Sequence, residues 1–191
     1  VIKPIVFAEL FVKRTEIRKM KKLISLLITL IMTAATSSAQ SSTGKATTTR
    51  TTFSRETTVS IDIHADDSIV WALLTKAPDY PRWNSTVVSI EGSIALGEKI
   101  KLKSTLDTSR TFKLKVKEFV PGKKLVWGDG QGQRVFTITK NAAGSITFTM
   151  TEKIGGMMFP LYAKMIPPFD QSFEQFAADL KKEAETIMNA K

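Results

Sequence analysis

The sequence predicts an α+β domain, an antiparallel sheet followed by one long amphipathic helix. Two patterns carry that expectation. Between residues 99 and 151, apolar and polar side chains alternate with the period of two that a half-buried strand requires, in runs separated by Gly and Pro. Near the C-terminus, Phe169, Phe173, Phe176, Ala177, Leu180, Ala184, Ile187 and Met188 recur mostly every three or four positions, the spacing of one helical face.

The N-terminal part stands apart from this domain. Residues 1–39 hold seven Lys and Arg against two Glu, which leaves 21 basic and 16 acidic residues for the rest and splits the formal charge of +10 evenly. A net of +5 over the remainder is ordinary for a soluble domain and does not call for a polyanionic partner. Met20, Lys21 and Lys22 precede an apolar run over residues 23–32 and then small residues, the three parts of a secretory signal. Cleavage is expected after Ala39, with Ser37 and Ala39 at the two small-residue positions, so residues 20–39 are assigned as signal peptide and the protein as exported, periplasmic or secreted in a bacterium. The alternative is an uncleaved anchor, against which the run falls short of the ~20 residues of a bilayer-spanning helix. Residues 1–19 fit neither reading and are assigned to a misplaced translation start.

Residues 40–52 are rich in Ser and Thr and read, with Arg50 and on to Arg55, as a solvated tether that merges into the first strand near Phe53. The domain is expected over residues 53–191. It contains no Cys, which removes disulfides and thiolate metal sites together, yet it is long enough to bury a core without them.

In the first strand Val59, Ile61 and Ile63 lie on one face and Ser60, Asp62 and His64 on the other. A helix follows at once: Asp66 or Asp67 can cap it, Ile69, Val70, Leu73 and Leu74 form its apolar stripe, Trp71 widens the stripe, and Pro78 and Pro81 stop it. Next, Ile100, Leu102 and Leu106 oppose Lys99, Lys101 and Lys103, and Phe112, Leu114 and Val116 oppose Lys113, Lys115 and Lys117. No aromatic residue is interleaved with these lysines to stack bases, so they read as a solvated face that discourages edge pairing, and no nucleic-acid partner is expected. Pro121 and Gly122 make a turn, Leu125 to Trp127 start another strand, and Gly128, Gly130 and Gly132 loosen its end. Phe136 and Ile138, then Ile146, Phe148 and Met150, face the same apolar side of the last two strands. Pro167 and Pro168 place the start of the terminal helix.

Several of these landmarks together resemble the SRPBCC superfamily, the START-like or helix-grip proteins that include polyketide cyclases and lipid-transfer domains. They are Val70-Trp71 on the first helix, Tyr80-Pro81-Arg82-Trp83-Asn84 after it, Gly92 and Gly97 around a hairpin, the run from Phe119 to Trp127, and the long terminal helix. The resemblance covers roughly residue 53 to the C-terminus. It implies a curved antiparallel sheet wrapped around the C-terminal helix, with short helices after the first strand and a cavity between sheet and helix.

Candidate ligand contacts follow from that cavity. Gly155 and Gly156 lead into Met157, Met158, Phe159, Tyr162 and Met165, a flexible stretch of Met and aromatic residues that reads either as a movable pocket wall or as packing beneath a loop. Trp83 and Trp127 divide in the same way between ligand-facing rings and core anchors, and Phe136, Phe148, Met150, Phe169 and Phe173 face the same interior. Arg134 shares the register of Phe136, and Glu152 that of Met150. If Phe136 pairs with Met150 the two charges stand opposite each other and are placed to hold a polar ligand end, unless strand twist turns them into water.

His64 is the one histidine and lacks convergent metal ligands, no Ser sits at a nucleophile elbow, and the Gly128 to Gly132 run lacks the features of a phosphate loop. No cofactor or metal is expected. The leading function is an exported, non-enzymatic carrier or sensor of a small hydrophobic or amphipathic molecule, lipid or polyketide-like. The alternatives are a cyclase- or aromatase-like enzyme using Glu152, Asp129, Tyr162 or Arg134, and a cell-envelope interaction module without a ligand.

Overall fold

A computed structural model describes residues 43–141 and 144–190. The expected signal peptide, its cleavage point and the upstream extension lie outside the described residues. Among the described residues eight strands, β1 (Thr43–Arg50), β2 (Ser54–Ile63), β3 (Val87–Glu91), β4 (Lys99–Ser104), β5 (Asp107–Val120), β6 (Lys124–Gly128), β7 (Gly132–Lys140) and β8 (Ile146–Gly155), form one curved antiparallel sheet in the order β1-β2-β8-β7-β6-β5-β4-β3. Helices α1 (Asp67–Thr75) and α2 (Tyr80–Trp83), separated by a 3-10 turn at Ala77–Asp79, connect β2 to β3. A short α3 (Phe159–Tyr162) and a 3-10 turn (Ala163–Met165) lead into α4 (Asp170–Asn189).

The strand alternation seen in sequence becomes the inside and outside of this sheet. Val59, Ile63, Ile100, Leu102, Val116, Leu125, Phe136, Ile138, Phe148 and Met150 are buried, while all six lysines named on the opposite face are exposed. The β4–β5 register sets Lys99 opposite Lys115 and Lys101 opposite Lys113, a like-charge arrangement made tolerable by solvent and, at Lys101, by an ion pair with Glu91 at 3.2 Å. Register shifts between Val87 and Ser89 and between Val116 and Glu118 are bulges that bend the sheet around its contents.

Those contents are aromatic. Phe176 of α4 lies 6.0 Å from Phe136 and 6.3 Å from Phe148 on the sheet, and 5.8 Å from Trp83 and 6.3 Å from Tyr80 of α2. One helical residue therefore joins all three layers. Asp66 occupies the N-cap position of α1 through its backbone carbonyl, which accepts from the N–H of Ile69. Arg82 ties α2 to α4 by bonding Asp79 at 2.9 Å and Glu183.

The Ser/Thr-rich stretch departs from expectation. Residues 43–50 are not a solvated tether but the edge strand β1, paired along β2 from Thr43 opposite Ile61 to Arg50 opposite Arg55. Tertiary partners hold it: Glu174 of α4 accepts from the Ala46 N–H at 3.1 Å, and Asp170 accepts from Thr48 at 2.8 Å. A low-hydrophobicity strand is stable here because pairing with the edge of β2 and hydrogen bonds to the helix supply the stabilisation that its side chains do not supply by burial. Phe53, expected to begin the first strand, instead sits in the turn between β1 and β2.

Candidate ligand-binding site

The sheet does not close fully on α4. The body of that helix fills the space beneath β1, β2 and β8, and a cavity of about 340 Å³ remains beside its start. Leu102, Leu106, Phe112, Leu114, Trp127 and Ile154 give the sheet side an apolar lining, and Tyr162, Met165, Ile166, Pro167 and Phe169 close the other side. The opposing wall is thus the segment that precedes α4 rather than the helix itself. Pro167 and Pro168 explain this, since two consecutive prolines delay helix formation and leave an extended segment over the sheet.

Gly128 and Gly132 form part of the lining where β6 turns into β7. A side chain at Gly128 would stand 2.3 Å from the Gly132 carbonyl oxygen, so the hairpin requires glycine there. Asp129 braces the same turn: its carboxylate accepts from the N–H groups of Gln131 at 2.7 Å and Gly132 at 3.0 Å, and its carbonyl accepts from Lys117. Asp107 does the equivalent at the β4–β5 turn, accepting from the Ser109 hydroxyl at 2.6 Å, a bond that holds its carboxyl below the usual range.

Arg134 stands opposite Glu152 in a register that also pairs Phe136 with Met150. Arg134 Nε donates to Glu152, and both side chains are largely shielded, at 16% and 17% exposure. Strand twist has not turned them outward. The Arg134 guanidinium also lies 5.0 Å from the centre of the Phe173 ring, and Phe173 stacks on Phe169 at 5.7 Å and 4°.

On the far side of that stack is Arg55, 4.4 Å from the Phe169 ring, with its two terminal nitrogens donating to the Ile166 carbonyl at 3.2 Å and the Pro167 carbonyl at 2.7 Å. Two guanidinium groups therefore bracket two stacked phenyl rings, and Arg55 pins the wall segment to β2. Its burial, together with nearby Arg50, lowers its pKa from the usual guanidinium value. The assignment of Arg55 to a solvated stretch is thereby corrected. Its parity offered a signal: Arg55 shares the face of Thr57, Val59, Ile61 and Ile63.

Of the residues singled out from sequence, Trp127, Arg134, Glu152, Tyr162, Met165 and Phe169 line the cavity together. Trp83, Phe136, Phe148, Met150 and Phe173 are packed in the core and do not line it. Phe159 is buried against Tyr162, 5.7 Å away, while Met157 and Met158 point outward, away from it. The candidate contacts read from sequence omit the contribution of the β4–β5 hairpin, including Leu102, Leu106, Arg110, Phe112 and Leu114, although all but Arg110 show inward parity in the sequence. Among the described residues no group of acidic or histidine side chains is arranged to hold a metal ion.

A model of the family described as Activator of Hsp90 ATPase homolog 1-like protein matches residues 64–185, which is more than half of the chain. The chain belongs to that family. The Activator of Hsp90 ATPase homolog 1-like proteins are part of the START-like SRPBCC superfamily, and solved structures agree with the placement. A START superfamily protein from Mycobacterium smegmatis is 13% identical with a TM-score of 0.51, over 69% of this chain and 98% of that one. A protein from Nitrosomonas europaea gives 12% and 0.56 over 75% and 100%, and a conserved protein of unknown function from Enterococcus faecalis gives 14% and 0.54 over 75% and 78%. At these identities the likeness is one of fold. No curated protein matches the sequence significantly.

Proposed function

We propose that this protein is an exported carrier or sensor that holds a small hydrophobic or amphipathic molecule, lipid or polyketide-like, in the cavity beside the start of α4. The observation that carries the reading is the cavity itself. Its volume of about 340 Å³ falls within the range of roughly 300–1,000 Å³ typical of small-molecule sites. Its walls are mainly apolar, so affinity would come from removing apolar surface from water, and the Arg134–Glu152 pair offers one oriented polar contact. Export rests on the signal-like pattern of residues 20–39.

A second reading, a cyclase-like enzyme, is favoured by one observation: Asp129, Arg134, Glu152 and Tyr162 all line this cavity. Two of them have structural tasks already. Asp129 braces its turn and Glu152 is bound to Arg134, so neither stands ready as a proton acceptor in the way general base catalysis requires.

Titration with 1-anilinonaphthalene-8-sulfonate, an amphipathic fluorescent anion, tests the carrier reading. Leu114→Trp, which adds bulk inside the cavity, is expected to weaken dye binding at least tenfold while unfolding stays cooperative. Equal dye affinity for the wild type and the variant would remove the cavity as the binding site.

A further inference from the structure

Eight large apolar side chains are exposed among the described residues, and five of them lie on two touching loops. Phe53, in the turn between β1 and β2, is 56% exposed; after β8, Met157 is 90%, Met158 63%, Leu161 75% and Met165 81% exposed. The loops are joined by the Gly156 N–H, which donates to the Phe53 carbonyl at 2.9 Å. Covering the cavity does not require this outward display. Phe159 turns inward from the same short helix and anchors it, while Met158 and Leu161 turn away.

Charge separates this patch from the rest of the surface. Residues 50–55 and 153–169 contain Arg50, Arg55, Lys153 and Lys164 and no Asp or Glu, and the three carboxylates that border them are engaged, Glu56 by Lys153, Glu152 by Arg134 and Asp170 by Thr48. Arg55 is buried and Lys153 lies 3.6 Å from Glu56, which leaves Arg50 and Lys164 as exposed cations beside the apolar tips. Flexible apolar side chains on protruding loops, flanked by exposed cations and with no carboxylate between them, match a boundary where anionic headgroups overlie acyl chains.

We propose that this patch is a membrane-docking surface. Phe53, Met157, Met158 and Leu161 enter the headgroup–acyl boundary of an anionic leaflet, and Arg50 and Lys164 meet its phosphates. Docking of this kind needs no membrane-spanning helix, and no helix among the described residues is long and apolar enough to be one. The proposal goes beyond the carrier reading and does not depend on it. Should both hold, docking would bring the wall segment that carries Tyr162 and Met165 against the lipid surface.

The absence of cysteine makes a site-specific test direct. The full chain carrying Met157→Cys is labelled with an environment-sensitive nitrobenzoxadiazole dye and mixed with vesicles of equal parts phosphatidylglycerol and phosphatidylcholine. A second chain carries the dye at Lys123→Cys. Lys123 accepts from the Ile138 N–H near the start of β8, whereas Met157 follows the end of that ten-residue strand, about 30 Å away. Because the full chain is used, any attraction exerted by the apolar run at residues 23–32 acts on both labelled chains alike. The expected result is at least a threefold rise in emission at position 157 and none at 123. The rise should diminish on phosphatidylcholine alone or in high salt, and M158D/L161D in the labelled chain should abolish it. No rise at 157, or equal rises at both positions, would overturn the proposal. So would a lipid-independent dimer dissolved by M158D/L161D, since that result would assign the patch to a second copy of the chain.

Discussion

Tyr80 shows how one buried polar atom links packing to pH. Its ring is fully buried against Trp83, Trp127 and Phe176, and its hydroxyl donates to the Leu74 carbonyl at 2.8 Å, which closes α1 onto α2. Burial raises its pKa far above the usual phenol value, an effect larger than the opposing one of the positive charge of Arg134. The folded protein therefore keeps the proton while the unfolded chain loses it above about pH 10. More protons are then bound in the folded state, so this contribution to stability is intact below about pH 10 and declines as pH rises further. Tyr80→Phe should abolish that alkaline decline, and at neutral pH it should cost about 1–3 kcal/mol because a buried carbonyl loses its donor. Urea denaturation at neutral pH and at about pH 10.5 checks both parts; an unchanged neutral midpoint would contradict the role assigned to the hydroxyl. Trp83 is a contrasting case, since its buried indole N–H has no partner among the described residues. It serves the core as a ring.

At the scale of elements, the β6–β7 hairpin and the segment before α4 decide the shape of the cavity. Both depend on residues that have no chemistry of their own. Gly128 lets the chain pass close to Gly132 and Gln133, and a methyl group there would meet backbone atoms at 2.3 and 2.7 Å. Backbone cannot move aside as a flexible side chain does, so Gly128→Ala should displace the hairpin and cost about 1–3 kcal/mol as overpacking does. The same change should alter dye binding, because Trp127 and Arg134 flank the displaced turn and line the cavity. Thermal unfolding with a parallel dye titration would detect this, and an unaltered midpoint and affinity would refute it. Across the cavity, Arg55 secures the wall by bonding two consecutive carbonyls that precede the helix. Those carbonyls come before α4 and have no ladder partner of their own, so a buried guanidinium is an effective way to satisfy them.

At the scale of the whole molecule, the aromatic cluster makes sheet and helices one cooperative unit. Phe176 is central to it, lying within 6.3 Å of Tyr80, Trp83, Phe136 and Phe148. Its truncation to Ala should cost about 3–5 kcal/mol and lower the melting temperature by roughly 10 °C. Calorimetry should show a single, earlier transition. A separate early transition for α4 would show instead that the helix is only loosely docked.

Elements whose cause is local were legible before folding. Period-two alternation placed the faces of the strands from residue 99 onward, helical spacing placed α4, and parity set Arg134 opposite Glu152 once Phe136 was taken to face Met150. Local pattern failed where stability is lent from a distance. Residues 43–50 look like a tether because their own side chains bury little, and only Glu174, Asp170 and the edge of β2 make them a strand. The cavity has the same character. Inward parity says that Leu102, Leu114, Phe136 and Phe148 all leave the solvent, but whether such a residue meets α4 or an open space depends on where the helix comes to rest. The Phe176 cluster and the bonds from Glu174 and Asp170 to β1 fix that position, and Arg55 holds the segment before it, so long-range contacts separated the inward-facing residues that became core from those that became a site.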